Sequence, residues 1–208
     1  MQIERPTLCY ITATNSSCPV EQSEKALEGG ACMIQLRNKT APGSALYDWA
    51  VDIQKLCRVY DAIFIVNDRV DIALTANADG VHLGQRDLPV APARKLLGKN
   101  KILGMSISSL AEAEEAVRAG CNYVGLGHIY PTSSKQKTGK PLGTSCITEV
   151  SRHISIPVIA IGGITASNAG EVIRAGATGI AVISAVAEAP DPRKATSELI
   201  QNMQSCLQ

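Results

Sequence analysis

Residues 103–128, LGMSISSLAEAEEAVRAGCNYVGLGH, decide the architecture. Two short apolar runs, Leu103 to Ile107 and Tyr123 to His128, are each near the usual length of a strand. Between them Ser109 to Ala119 sets alanine and branched aliphatics at helical spacing among charged residues. The unit reads strand, helix, strand. Working outward, the same alternation places further strands at Leu8 to Ala13, Met33 to Arg37, Ile63 to Asn67, Gly80 to Gly84, Pro157 to Gly162 and Gly179 to Ser184, with a second clear helix at Ser167 to Ala175. This order favours a parallel sheet covered by helices, and eight such units close a barrel. The expected fold is therefore α/β, a (β/α)8 TIM barrel spanning residues 1–208 as a single domain.

A weak internal repeat supports closure. GGACMIQL, NADGVHL, AGCNYVGL and AGATGIAVI each follow a helical segment and enter an even-numbered strand. Glycine there suits a helix C-cap followed at once by a buried strand, so the repeat has a structural reason and carries no chemistry. The chain of 208 residues is compact beside the roughly 250 typical of such barrels, which excludes large insertions. An open doubly wound sheet is the alternative fold.

With 45% hydrophobic residues the chain can bury a substantial core. A formal net charge of +1, from 20 Lys+Arg against 19 Asp+Glu, provides no long-range field for nucleic acid or an anionic membrane. Aromatic residues make up 3%, which leaves little for stacking nucleobases. Neither nucleic acid nor a membrane is an expected partner. The seven cysteines are scattered, odd in number and free of any CxxC pair, so they read as small apolar residues in a reducing compartment. No charged leader precedes an apolar stretch and no run approaches membrane-spanning length, so the cytoplasm is the expected location. The sequence leaves the oligomeric state open, a homo-oligomer included.

The polar residues collect just after the apolar runs, at the carboxyl ends that form the active-site rim of a barrel. After the second strand, Gln35, Arg37 and Lys39 are spaced by two and would share one side of an extended segment, an amide and two cations suited to a polyphosphate. Asn67 and Asp68 end the third strand, and Gly84-Gln85-Arg86-Asp87 follow the fourth. Two carboxylates at neighbouring strand ends can hold Mg²⁺, which takes one or two carboxylates and completes its shell with water and phosphate. The bland alternatives are a helix cap near Pro89 for Asp87 and an ion pair with Arg69 or Arg86 for Asp68. Ser106 ends the fifth strand and its hydroxyl could reach the same mouth. After the sixth strand, Thr132, Ser133, Ser134 and Lys135 can bind a phosphate monoester and an anionic leaving group, and the polar loop from Gln136 to Lys140 could close over them. Gly163 after the seventh strand, and Ile183 and Ser184 after the eighth, stand where barrels of this kind commonly hold phosphate.

In order and spacing, QLRNK, NDRVDIA, ADGVHLGQRD, GMSISS, GHIYPTSSK, PVIAIGGI and AVIS closely resemble the signature segments of thiamine-phosphate synthases. The resemblance runs from about the second strand to the eighth, and QLRNK, VHLGQRD and YPTSSK are individually distinctive. It implies that Gln35, Arg37, Lys39, Asn67, Ser106 and Lys135 contact a pyrimidine diphosphate, that Asp68 and Asp87 hold Mg²⁺, and that Thr132, Ser133, Ser134, Gly163, Ile183 and Ser184 hold a thiazole phosphate. Arg37, Lys39, Lys135 and Ser106 would carry the chemistry. The implied reaction joins the two substrates into thiamine phosphate and releases pyrophosphate.

One departure is His128, which stands where many members carry proline. Thiazole tautomerases resemble this chain in having a Gly-His pair after the sixth strand, and a neutral imidazole there could move a proton. That subgroup tends to lose the cationic row and the metal carboxylates, and Lys39, Asp68, Asp87 and Lys135 are all present here. A synthase is therefore expected ahead of a tautomerase, with a catalytically silent phosphate-binding barrel as a third reading. His82, within a buried strand, and His153, near a helix end, are expected to be structural.

Overall fold

The computed structural model describes residues 3–14, 18–132 and 139–207. Eight parallel strands close into a barrel in chain order: β1 Thr7–Ile11, β2 Met33–Leu36, β3 Ile63–Asn67, β4 Gly80–Leu83, β5 Ile102–Ile107, β6 Tyr123–Gly127, β7 Val158–Ile161 and β8 Gly179–Val182. The helices between and after them are α1 Pro19–Glu28, α2 Gly43–Val59, α3 Val70–Thr75, α4 Val90–Leu97, α5 Leu110–Arg118, α6 Gly143–His153, α7 Ala166–Arg174, the short α8 Ser184–Ala187, and α9 Pro192–Gln204. The closed barrel replaces the open-sheet alternative, with β8 pairing to β1 through Thr7 opposite Gly179 and Cys9 opposite Ala181.

The repeated glycine segments do the work their sequence suggests. After α1, α5 and α7, Gly30, Gly120 and Gly176 take positive φ (99°, 87° and 108°), and after α3 Asn77 does the same at 53°. At each of the four, two amides turn back onto the last helical carbonyls; Gly120 N–H donates to Val117 and Cys121 N–H to Ala116. This is the Schellman arrangement, which satisfies the orphaned carbonyls and releases the chain straight into the next strand. Helix starts are also built in: Ser109 Oγ accepts from the Glu112 amide at 3.3 Å, and Thr165 and Asn168 form a capping box on α7.

Strand alternation sorts the apolar residues into two cores. Leu8, Tyr10, Ile34, Phe64, Val66, Val81, Leu103, Val124, Leu126 and Ile180 point outward and pack under the helices. Cys9, Ile11, Met33, Ile63, Ile65, Ile102, Tyr123, Ile159 and Ala181 fill the lumen. The register keeps one phase around the ring, with Gln35 beside Ile65, Asn67 beside His82, His82 beside Gly104, and Ser106 beside Gly125. In that phase Gln35, Asn67, His82 and Ser106 stand at or near the carboxyl ends of their strands, which puts the site on one mouth.

Candidate active site

A cavity of about 290 Å³ opens at this mouth and descends into the barrel. Gln35, Ser106, Thr132, Gly163, Ile183 and Ser184 line it, joined by His82, Tyr123, His128, Thr165 and Glu188. The apolar side of its floor is Cys9, Ile11, Ile159, Ile161 and Ala181. Six residues expected from the sequence thus surround one space, although they come from the ends of five different βα units.

Beside it, the ends of β2, β3 and β4 carry a charged cluster. Lys39 Nζ lies 3.0 Å from Asp68 Oδ2, and Asp68 in turn shares a side-chain hydrogen bond with Asp87. Burial, and next the contact with Asp87, push the Asp68 carboxyl above its ordinary value, against the pull of Lys39. Asp68 holds a positive φ of 62°, a conformation that non-glycine residues rarely adopt. Asp87 Oδ2 accepts the Gly84 amide at 2.7 Å and so closes the turn after β4, rather than capping α4 at Pro89. Arg69 is engaged with Asp71, with Nε to Oδ1 at 2.8 Å, which leaves Lys39 as the cation paired with Asp68.

Arg37 is buried, at 8% exposure, and burial draws its guanidinium pKa downward. Its backbone is fixed by Thr12, whose hydroxyl accepts the Arg37 amide at 2.8 Å and donates to the Arg37 carbonyl at 3.0 Å. Nη1 donates to Thr14 Oγ1 at 2.5 Å, and Nε meets no acceptor among the described residues. A buried, always-charged donor left open beside a rim is suited to an anionic oxygen. The extended segment expected to carry Gln35, Arg37 and Lys39 on one side ends at Leu36. Asn38 ends it: its Oδ1 accepts the amides of Thr40 and Ala41, both at 2.9 Å, a turn that leads into α2 and swings Lys39 to Asp68. The amide Gln35 therefore faces the lumen while the two cations stand at the rim. Asn67 is buried at the end of β3.

The stem of the loop after β6 is tied down. Ile129 and Tyr130 donate to the carbonyls of Ile161 and Gly162 at 2.9 and 3.0 Å, and Leu142 and Gly143 return to the carbonyls of His128 and Ile129. Tyr130 and Thr144 hydroxyls both donate to Glu171 on α7. Gly163, at φ 66°, packs against Tyr130 and the Pro131 carbonyl, so its missing side chain makes room for this loop as well as facing the cavity. Ser133, Ser134, Lys135 and Gln136 lie outside the described residues. His153 is structural as expected, its Nδ1 hydrogen-bonded to the Glu149 carbonyl at 2.7 Å. His82 is not merely structural: it lines the cavity and its Nε2 is 2.8 Å from Ser106 Oγ.

The two carboxylates fit a divalent ion. They touch one another beside the exposed Lys39 and the buried Arg37, and no cluster of three or more His, Cys, Asp or Glu occurs among the described residues. Such a pair suits Mg²⁺ that completes its shell with substrate phosphate, and it does not suit an all-protein metal cage.

A closed (β/α)8 barrel with cations, paired carboxylates and hydroxyls gathered at its carboxyl mouth defines an enzyme of the phosphate-handling barrel class. The family model described as thiamine monophosphate synthase matches residues 8–186. The chain is 59% identical over 199 residues to a thiamine-phosphate synthase of Chlorobium limicola, covering 96% of this chain and 94% of that one. It is 48% identical to one from Methanospirillum hungatei, over 83% and 84% of the two chains. Thiamine phosphate pyrophosphorylase from Pyrococcus furiosus superposes with a TM-score of 0.89 at 43% identity, covering 97% of each chain. The chain belongs to the thiamine monophosphate synthase family, and it is a transferase.

Proposed function

We propose that the chain condenses hydroxymethylpyrimidine diphosphate with a thiazole phosphate, giving thiamine phosphate and pyrophosphate, or with its carboxylate, in which case CO2 is released as well. The observation that carries this reading is the contact of Lys39, Asp68 and Asp87 beside a cavity lined by Gln35 and Ser106. Arg37, Lys39, Asn67, Gln35 and Ser106 bind the diphosphate substrate, with Lys135 completing the set. Asp68 and Asp87 hold Mg²⁺, which when bound offsets the negative charge that builds on the departing diphosphate. Thr132, Ser133, Ser134, Gly163, Ile183 and Ser184 hold the thiazole phosphate.

Loss of diphosphate leaves a delocalised cation on the pyrimidine methylene, and the thiazole nitrogen attacks that carbon. No general base is required, because the nucleophile is an unprotonated ring nitrogen. Arg37, buried and fixed through Thr12 and Thr14, is preorganised to receive the developing charge without reorganising. The two anionic handles align the reacting atoms, so catalysis is chiefly positioning. The free cysteines agree with a single-domain enzyme of the reducing cytoplasm.

Purified protein should release pyrophosphate only when both substrates and Mg²⁺ are supplied, and should stop when the metal is chelated. Absence of turnover under those conditions would overturn the proposal. A second reading, thiazole tautomerisation, draws on His128 lining the same cavity as Thr132 and Ser184. It predicts metal-independent isomerisation that disappears in His128→Ala.

A further inference from the structure

Barrel lumens are normally filled by layers of branched apolar side chains. Here one sector of the lumen holds an imidazole and a phenol instead: His82 on β4 at 7% exposure and Tyr123 on β6 at 2%. Room for them is built into the backbone. A side chain at Gly104 would collide with the Tyr123 ring, and one at Gly125 would press on the His82 ring. Both glycines lie in the lumen-facing phase of their strands, in register with His82 and with Ser106. Burying two polar rings costs stability unless their polar atoms are paired, and these are.

The pairing has a direction. Tyr123 Oη lies 2.9 Å from His82 Nδ1, and His82 Nε2 lies 2.8 Å from Ser106 Oγ. The rings sit 5.4 Å apart, tilted by 35°, which suits an in-plane hydrogen bond rather than stacking. Tyr123 Oη is buried and has no other hydrogen-bond partner among the described residues, so its proton is donated to His82 Nδ1. Nδ1 is then the acceptor, and the ring hydrogen of a neutral imidazole resides on Nε2. Ser106 Oγ accepts that hydrogen, which leaves its own O–H to be given elsewhere. The Ser106 backbone is also held, its carbonyl accepting Gln85 Nε2 at 2.8 Å, and its side chain faces the cavity.

We infer that Tyr123 and His82 are positioning residues that set the Ser106 hydroxyl as a one-way hydrogen-bond donor to a diphosphate oxygen of the pyrimidine substrate. The inference rests on the proposed substrate contact of Ser106 and adds the device that orients it. Tyr123 and His82 touch no reacting atom in this account. Their effect passes through the serine, so it falls on kcat, where charge grows on the departing oxygen, more than on KM.

The test is a double-mutant cycle on pyrophosphate release with both substrates and Mg²⁺. Ser106→Ala should lower kcat by roughly tenfold to a hundredfold, the range for one hydrogen bond to a charged acceptor. His82→Asn, which removes the Nε2 donor, should lower it by a similar factor, and the double variant should be no slower than either single. His82→Gln carries an amide N–H near the former Nε2 and should recover much of the loss. Should His82→Asn fail to fold, Tyr123→Phe combined with Ser106→Ala supplies the same cycle. Factors that multiply in the double variant, or equal losses in the Asn and Gln variants, would overturn the positioning role while leaving Ser106 in contact with substrate. Wild-type kinetics in Ser106→Ala would instead sink the substrate assignment on which the inference stands.

Discussion

Replacing Asp68 with Asn should move stability and activity in opposite directions. Lys39 Nζ is 3.0 Å from Asp68 Oδ2, an attraction of roughly 5.5 kcal/mol at an effective dielectric of about 20. Because 54% of the lysine side chain is exposed, screening and side-chain entropy reduce this to about 1 kcal/mol. Repulsion from Asp87 at hydrogen-bond contact offsets it, and burial then decides the sign, holding the Asp68 pKa above its ordinary value. A carboxyl whose pKa is raised on folding stabilises the fold when protonated and loses that contribution as pH rises through the raised value. At neutral pH its charge is a cost. Asn keeps a hydrogen-bonding group toward Asp87 and removes the charge, so the metal-free protein should gain about 1 kcal/mol, or roughly 2–4 °C in Tm. The gain should vanish below about pH 4, where the wild-type carboxyl is protonated in both states.

Turnover should fall by at least about 10²-fold, since a direct metal ligand is lost. Mg²⁺ should raise the Tm of the wild type and leave that of the variant unchanged, because only the former binds it. Differential scanning calorimetry across pH, with and without Mg²⁺, together with pyrophosphate release, measures all three. A lower Tm at neutral pH with activity retained would refute the reasoning, since it would make Asp68 a structural ion-pair partner of Lys39.

Arg37→Met removes a buried guanidinium whose Nε is left without an acceptor among the described residues, so its Tm should change little or rise. Its kcat/KM should fall by about 10²–10⁴-fold, as two charge-assisted hydrogen bonds to the diphosphate are lost; steady-state kinetics and a thermal melt of the same preparation check both. Burial lifts the thiol pKa of Cys57 to about 12 and of Cys121 to about 11, and carries Cys9 higher still. Peptide mapping after mild alkylation of native protein should therefore find the exposed Cys18 and Cys32 labelled and Cys9, Cys57 and Cys121 untouched until the barrel is unfolded.

The barrel was legible because each βα unit announces its own boundaries. The strand read as Ile63 to Asn67 coincides with the one observed and the others agree to within two residues at each end, while the turns at Gly30, Asn77, Gly120 and Gly176 explain why the four repeated segments look alike. The phase of the lumen was less legible. His82 sits in an apolar strand, and its burial alone suggested a satisfied core residue. The signal that could have placed it is the alternation itself: Gln35 on β2, His82 on β4 and Tyr123 on β6 share one inward phase, with Gly104 and Gly125 opposite the two rings. Reading that phase requires the register between strands, which a single sequence does not print. Gln35, Arg37 and Lys39 do not share one side of a strand as their spacing suggests, because the Asn38 turn redirects Lys39 after β2 has ended.

The central claim is that Asp68 and Asp87 serve one divalent ion at the rim where the diphosphate departs. Crystals grown with Mn²⁺ and pyrophosphate, recorded at the manganese edge, test it most directly. The account predicts one strong anomalous peak at coordination distance, about 2.1–2.2 Å, from carboxylate oxygens of both residues, with pyrophosphate completing the shell toward Arg37. A peak lying away from this pair, or pyrophosphate bound at the rim with no metal on either carboxylate, would contradict it.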